Sequence, residues 1–192
     1  PNLEYLIDSQ SNLSIEEITS SAKTSFIKNK MKTLSLGYTD STIWVKLSID
    51  TNALSDTFSV KKWIAEVNFP PIDEITFYQM DANHEYIPLI TGDLYPSNKR
   101  DIKTTSYAFD LNLSPNQLNT VYFRIKSESS MRIPIHIYTQ SAFIQQLDFR
   151  KTQYGLFGGI MIAMLIYNLL LFLTSRDQSY LYYVLYVSSF IL

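Results

Sequence analysis

His84 and His136 are the only imidazoles in the chain, and they lie far apart in sequence. No HExxH, GxSxG or Walker-type GxxxxGK run accompanies them, so the usual arrangements for zinc hydrolysis, a nucleophile elbow and phosphate cradling are missing. Cysteine is absent, which removes disulfides and thiolate metal sites. No catalytic constellation emerges, and the sequence predicts a protein that is not itself an enzyme.

The chemistry that remains is recognition. Sugar sites need flat aromatic surfaces for the apolar faces of pyranose rings, and charged or amide groups to hydrogen-bond the hydroxyls. Trp44, Glu66, Tyr78, Tyr122, Arg124, His136 and Tyr138 supply both kinds of group at outward offsets of alternating strands. Trp44 is expected on an exposed face. The rival reading is an ordinary outer face, since aromatics favour strands and arginine stems cover apolar surface. Arg100, which follows the Gly92-Asp93 turn, closes one end of a groove or makes a salt bridge across its loop. Asp73-Glu74 and the pair Asp93 and Asp101 read as turn carboxylates. A calcium ion held by such carboxylates is chemically feasible, but their spacing matches no calcium loop, and no other cofactor is expected.

These side chains need a scaffold of strands. From Thr33 to Thr139 the apolar residues recur at every second position: Val45, Leu47 and Ile49; Trp63, Ala65, Val67 and Phe69; Ile75 and Phe77. The alternation continues with Tyr107, Phe109 and Leu111; Val121, Phe123 and Ile125; then Ile133, Ile135 and Ile137. Turn material such as Pro70-Pro71, Asp81 to His84 and Ser114 to Asn116 separates the runs. Short punctuated strands without βαβ alternation predict an antiparallel β-sandwich or barrel. Ahead of it, Leu3 to Asp8 reads as a strand. Ser14 and Glu17 have capping-box spacing for a short helix from about Ile15 to Ser25, with Ile15, Ile18 and Ala22 on one side. Lys23 to Lys32 reads as a solvated connection.

The run Tyr154 to Leu173 is twenty residues without a charge. At about 1.5 Å per residue it spans roughly 30 Å, the hydrocarbon thickness of a bilayer. Thr174 to Ser179 is a tight polar turn, and the tyrosine-rich run from Tyr180 predicts the second arm of a membrane hairpin. Within the first span Gly155 and Gly159 form a GxxxG pair, and Asn168 is a polar side chain in the lipid zone; both suit helix packing. The expected division is therefore a β-sandwich over residues 1–145, a link over 146–153, and membrane helices over 154–192. The second run reaches Leu192, so the chain is expected to continue. Pro1 is not preceded by a leader, so any signal peptide is removed or lies outside this sequence. A net charge of −2 argues against a nucleic-acid partner.

Several of these segments together resemble a known family. They are Leu36-Gly37-Tyr38-Thr39-Asp40-Ser41 followed by Trp44, the Pro71-Ile72-Asp73-Glu74 turn, Thr91-Gly92-Asp93 leading to Arg100, and Val121-Tyr122-Phe123-Arg124-Ile125. The Pro134 strand and the join from Gly155 through Tyr167-Asn168-Leu169 to Arg176-Asp177-Gln178-Ser179-Tyr180 extend the match. The chain is similar to bacterial seven-transmembrane receptors with diverse intracellular signalling modules, in particular the type 2 extracellular domain and the start of the seven-helix region. The resemblance implies a jelly-roll-like, carbohydrate-binding-module-like sandwich in the periplasm. That sandwich would be tethered to helices of the bacterial inner membrane and followed by a cytoplasmic output module. Arg150 and Lys151 before the first span, against Arg176 after it, run opposite to the positive-inside bias for that orientation.

The expected function is a ligand-sensing receptor domain, with a carbohydrate as the expected ligand. The competing expectation is a protein-interaction module that binds a second copy or another receptor's ectodomain. Exposed aromatics serve either purpose.

Overall fold

A computed structural model of the chain describes residues 2–20, 25–29, 31, 33–52, 62–96, 102 and 104–191. Strand β1 (Asn2–Asp8) opens it, followed by α1 (Ile15–Ser20), β2 (Ile27–Lys28), β3 (Leu34–Gly37), β4 (Thr42–Asp50) and β5 (Trp63–Val67). Next come β6 (Glu74–Met80), β7 (Tyr86–Thr91), β8 (Tyr107–Leu111), β9 (Leu118–Lys126), β10 (Met131–Ile133) and β11 (Ile135–Thr139). Two helices follow, α2 (Gln140–Ser175) and α3 (Gln178–Ile191). The chain divides into two units, residues 1–140 and 141–192.

In the first unit the strands pair antiparallel, with α1 beside them. Six strands form one sheet in the order β2-β1-β4-β9-β6-β7, three form β11-β5-β8, and β3 pairs with β10. Neighbours that are distant in sequence, such as β4 with β9 and β9 with β6, tie the layer together. Ile43, Val45, Leu47 and Ile49 of β4 and Val121, Phe123 and Ile125 of β9 share one core with Ala65, Val67, Phe109 and Leu111 from the three-stranded sheet. The apolar face read from each of these strands is the face that is buried. This is the mainly β, layered antiparallel fold the period-two pattern predicts, and its non-sequential strand order is consistent with a jelly roll.

Two details differ from the sequence reading. Ile133 to Ile137 reads as one strand, but Pro134 breaks it. Met131–Ile133 pairs with β3, while Ile135–Thr139 pairs with β5. A proline supplies no amide hydrogen for a ladder, so it sits where the chain changes sheet. Strands β2, β3 and β7 escape the period-two reading because they are short or interrupted, as β7 is by Pro88.

The Pro70–Glu74 turn is fastened from several sides. The Tyr107 hydroxyl donates to the Pro70 carbonyl at 2.6 Å, and the Asp93 amide donates to the Ile72 carbonyl at 2.8 Å. The Glu128 amide donates to the Asp73 carboxylate at 2.6 Å. Gly92 sits against this turn at φ 153°, where an added Cβ would lie 2.0 Å from the Asp73 carbonyl oxygen. Gly37 also has positive φ (71°), yet nothing lies within 4 Å of its Cβ position. Gly92→Ala is therefore expected to destabilise the fold by at least about 2–3 kcal/mol, through both backbone strain and collision. Gly37→Ala should cost only about 1 kcal/mol. Denaturant midpoints of the two variants check this, and equal effects would contradict it.

Candidate functional site

Four of the predicted recognition residues lie on one face of the six-stranded sheet. Register places Trp44 opposite Arg124, and Arg124 opposite Thr76. Tyr78 stands opposite Tyr122, and its ring stacks on Trp44 at 5.6 Å. The face is not open to ligand as expected. Trp44 is fully buried and Tyr122 nearly so, packed with Ile15 and Ile18 of α1. The cause was present in the sequence: α1 carries an apolar stripe that must be covered, and this aromatic face covers it. Helix α1 begins with the predicted capping box, the Ser14 amide donating to Glu17 Oε2 at 2.9 Å and the Glu17 amide to Ser14 Oγ at 3.3 Å. Beneath it Trp44 Nε1 is buried and finds no hydrogen-bond partner among the described residues. Arg124 is engaged within the sheet: its Nη1 lies 2.7 Å from Glu74 Oε1, and the Tyr95 hydroxyl donates to Glu74 Oε2 at 2.9 Å. The aromatic set therefore builds the outer half of the fold.

Glu66, His136 and Tyr138 occupy the outer face of the other sheet, on the far side of the core. His136 stands opposite Glu66 and lies exposed, with its ring 6.1 Å from that of Tyr138. Glu66 is fully buried and accepts from Ser106 Oγ at 2.5 Å. Arg100 and Asp101 lie outside the described residues. The predicted residues thus form two separate groups. Among the described residues no three His, Asp or Glu side chains gather as metal ligands.

A polar cleft opens instead at the end of the six-stranded sheet, between the β6–β7 turn and the segment joining β8 to β9. It measures about 630 Å³, and Gln79, His84, Tyr86, Asn112, Thr120 and Tyr122 are among its walls. Most of the wall is rigid. Gln79 exchanges two hydrogen bonds with the Asn112 backbone, at 2.7 and 3.2 Å. Asn119 ties the Ser114 to Gln117 turn through both backbone groups of Ser114. Asp81 accepts from the Glu85 and Asn83 amides at 2.9 Å each, and these bonds, led by that of Glu85, hold its carboxyl below the usual range. The side chains of His84 and Thr120 hydrogen-bond none of the described residues, so they are available to a ligand. Tyr86 meets Tyr122 edge-on at 5.7 Å. Burial first, and the Tyr86 phenol second, push the Tyr122 hydroxyl up to about 12. Only Tyr122 connects this cleft with the predicted set. His84 was legible only as a turn residue, and Tyr86, on the unread strand β7, was not singled out.

The second unit holds the membrane elements. Helix α2 runs unbroken from Gln140 to Ser175, so the predicted link is helical throughout. Its apolar window is long enough to cross a bilayer, and none of that window is buried within the chain. The positions around Gly155 and Gly159 are open, with nothing within 4 Å of either Cβ site. Asn168 donates to the Met164 carbonyl of its own helix at 2.8 Å. The turn into α3 is compact. Arg176 takes positive φ and its amide donates to the Phe172 carbonyl, while Asp177 Oδ1 accepts from the Ser179 amide and caps α3.

Residues 1–139 match the family described as 7TMR-DISM extracellular 2, and residues 150–192 match its companion, 7TM diverse intracellular signalling. The chain belongs to the 7TMR-DISM family. It combines the extracellular sensory domain of such a receptor with transmembrane sequence, which makes it a membrane protein with an extracellular part. No curated protein matches it. The family is one of receptor regions and not of catalytic domains.

Two outcomes follow from the buried aromatic face of the receptor. Trp44→Ala should cost about 3–5 kcal/mol in unfolding free energy, as expected for an emptied aromatic core site. A variant as stable as the parent would contradict that packing. The Tyr122 hydroxyl is raised in the folded state, so its neutral form is the favoured one there. The stability it contributes is intact below the ordinary tyrosine value near pH 10 and is lost as pH climbs toward 12. Tyr122→Phe should therefore remove one late component, near pH 12, from the phenolate absorbance titration. An unchanged late component would refute the assignment.

Proposed function

We propose that the sandwich is a periplasmic ligand-sensing domain of a bacterial inner-membrane receptor, and that its ligand is a neutral carbohydrate held in the polar end cleft. The membrane helices would pass the binding signal to a cytoplasmic output module. The observation that carries this reading is the make-up of the cleft. Amides, hydroxyls and two tyrosines surround a volume within the usual range for small-molecule sites. Many neutral donors and acceptors beside ring edges suit a polyhydroxylated ligand better than a charged one. The wall is fixed by its own hydrogen bonds, so little ordering cost opposes binding. Sensing also requires two states of the receptor with different ligand affinity, because a ligand bound equally by both shifts nothing.

The competing reading, a protein-interaction or self-association module without a small ligand, draws on the edge strand β7. There Ile90, 48% exposed, shares a face with Met80 of the neighbouring strand, and Ile87, 57% exposed, lies on the opposite face of the same edge. Such an exposed apolar sheet edge suits an interface.

Calorimetric titration of oligosaccharide fragments into the receptor in lipid nanodiscs separates the two. Saturable binding that weakens about fivefold in each of His84→Ala and Thr120→Val, the loss of roughly one hydrogen bond apiece, is the expected outcome. No binding to any fragment, together with a concentration-dependent dimer abolished by Ile87→Lys, would replace the first reading with the second.

A further inference from the structure

A second cleft, of about 660 Å³, opens between the two layers of the sandwich, and its chemistry is the opposite of the first. Leu3, Leu47 and Ile49 form one wall, from β1 and β4. Trp63, Ile135 and Ile137 form the other, from β5 and β11, and Leu113 lies between them. All seven belong to the main core or pack against it, so the cleft is a side entrance into the hydrophobic interior. Strand alternation turns the polar neighbours the other way. His136, opposite Glu66, and Lys28, opposite Glu4, line the cleft from outward positions, whereas Glu66 itself is buried against Ser106. Asp50 is engaged at this mouth, accepting from the Asn52 amide and side chain at 2.9 and 2.8 Å. Lys28 stands exposed beside it. Met31 lines the mouth and is 70% exposed, an adaptable thioether at an apolar entrance.

We infer that this cleft binds the tail of a single-chain amphiphile of the free fatty acid class, with its carboxylate left at the mouth near Lys28. A cleft whose inner walls are mainly apolar, with Asn2, Asn29, Asp50 and His136 also lining it, selects a ligand with an apolar body and a polar end. With the Asp50 Oδ1 occupied by Asn52, Lys28 is the rim charge that offers a counter-ion to an anionic end group. A space of about 660 Å³ lined from both sheets accommodates an unbranched chain. The site is separate from the polar end cleft and stands whether or not that cleft binds sugars. Its place in the chain adds a consequence. Ile135 and Ile137 belong to β11, which among the described residues is an edge strand paired with β5, and which continues without a break into α2. A tail between the layers therefore presses on the strand that leads into the membrane helix.

The chain has two tryptophans, and Trp63 lines this cleft, so Trp44→Phe leaves one reporter in place. That variant is placed in nanodiscs of saturated phosphatidylcholine and titrated with brominated stearic acid, a contact quencher of indole fluorescence. The expected result is saturable quenching of Trp63 that excess unbrominated stearic acid reverses. Adding Ile137→Glu, which puts a carboxylate in the slot, should weaken it at least about tenfold. If Ile137→Glu fails to fold, reversal by the unbrominated acid decides alone. Absent, non-saturable or irreversible quenching overturns the proposal. So does equal quenching by brominated phosphatidylcholine in the disc without free acid, which would mean bilayer contact in place of a fatty acid in the cleft.

Discussion

Strand β4 is buried along its core face and, at Thr42 and Trp44, on its opposite face as well, and much of the extracellular unit follows from that constraint. Its odd-numbered residues, Ile43 to Ile49, lie in the core between the layers, while Trp44 on the opposite face lies wholly under α1. A strand so placed cannot be an edge and cannot present a ligand platform. It needs a sheet on one side and a cover on the other. The capping box of α1 and the aromatic cluster of Trp44, Tyr78 and Tyr122 supply the cover. The Arg124–Glu74–Tyr95 chain of polar contacts closes its margin.

On the proposed reading, recognition moves from the faces of the sandwich to its openings. One opening, at the end of the six-stranded sheet, is polar and braced by its own turns. The other, between the layers, is apolar. A β-sandwich commonly places function at its ends because its faces are spent on packing, and loops carried by a rigid scaffold hold binding groups in place. The two openings differ in chemistry because strand alternation sends apolar side chains inward, whereas the turns that end β6 and β8 are built from amides and hydroxyls.

Much of this fold was legible in the sequence. The period-two pattern named the core-facing residues of β4, β5, β6, β8 and β9, and the uncharged run named the membrane helix, because both signals reflect burial repeated along a strand or helix. The site was less legible. Alternation tells which face a side chain takes but not what lies over that face, so Trp44 read as exposed until α1 was placed on it. Glu66 read as a surface carboxylate, although it is buried against Ser106 forty residues away. His84 and Tyr86 converge with Asn112 and Thr120 only through the pairing of β6 with β9, a long-range contact with no local signature. The break at Pro134 was visible as a proline, but its consequence depended on a sheet that pairs strands distant in sequence.

The central claim is that ligand enters at the polar end of the sandwich and not on its aromatic face. Hydrogen–deuterium exchange of the whole chain, with and without a saturating oligosaccharide, tests it most directly. The account predicts slowed exchange in residues 79–86 and 112–122, with residues 13–18 and 42–46 unchanged. Protection confined to α1 and β4, or none at either place under saturating ligand, would contradict it.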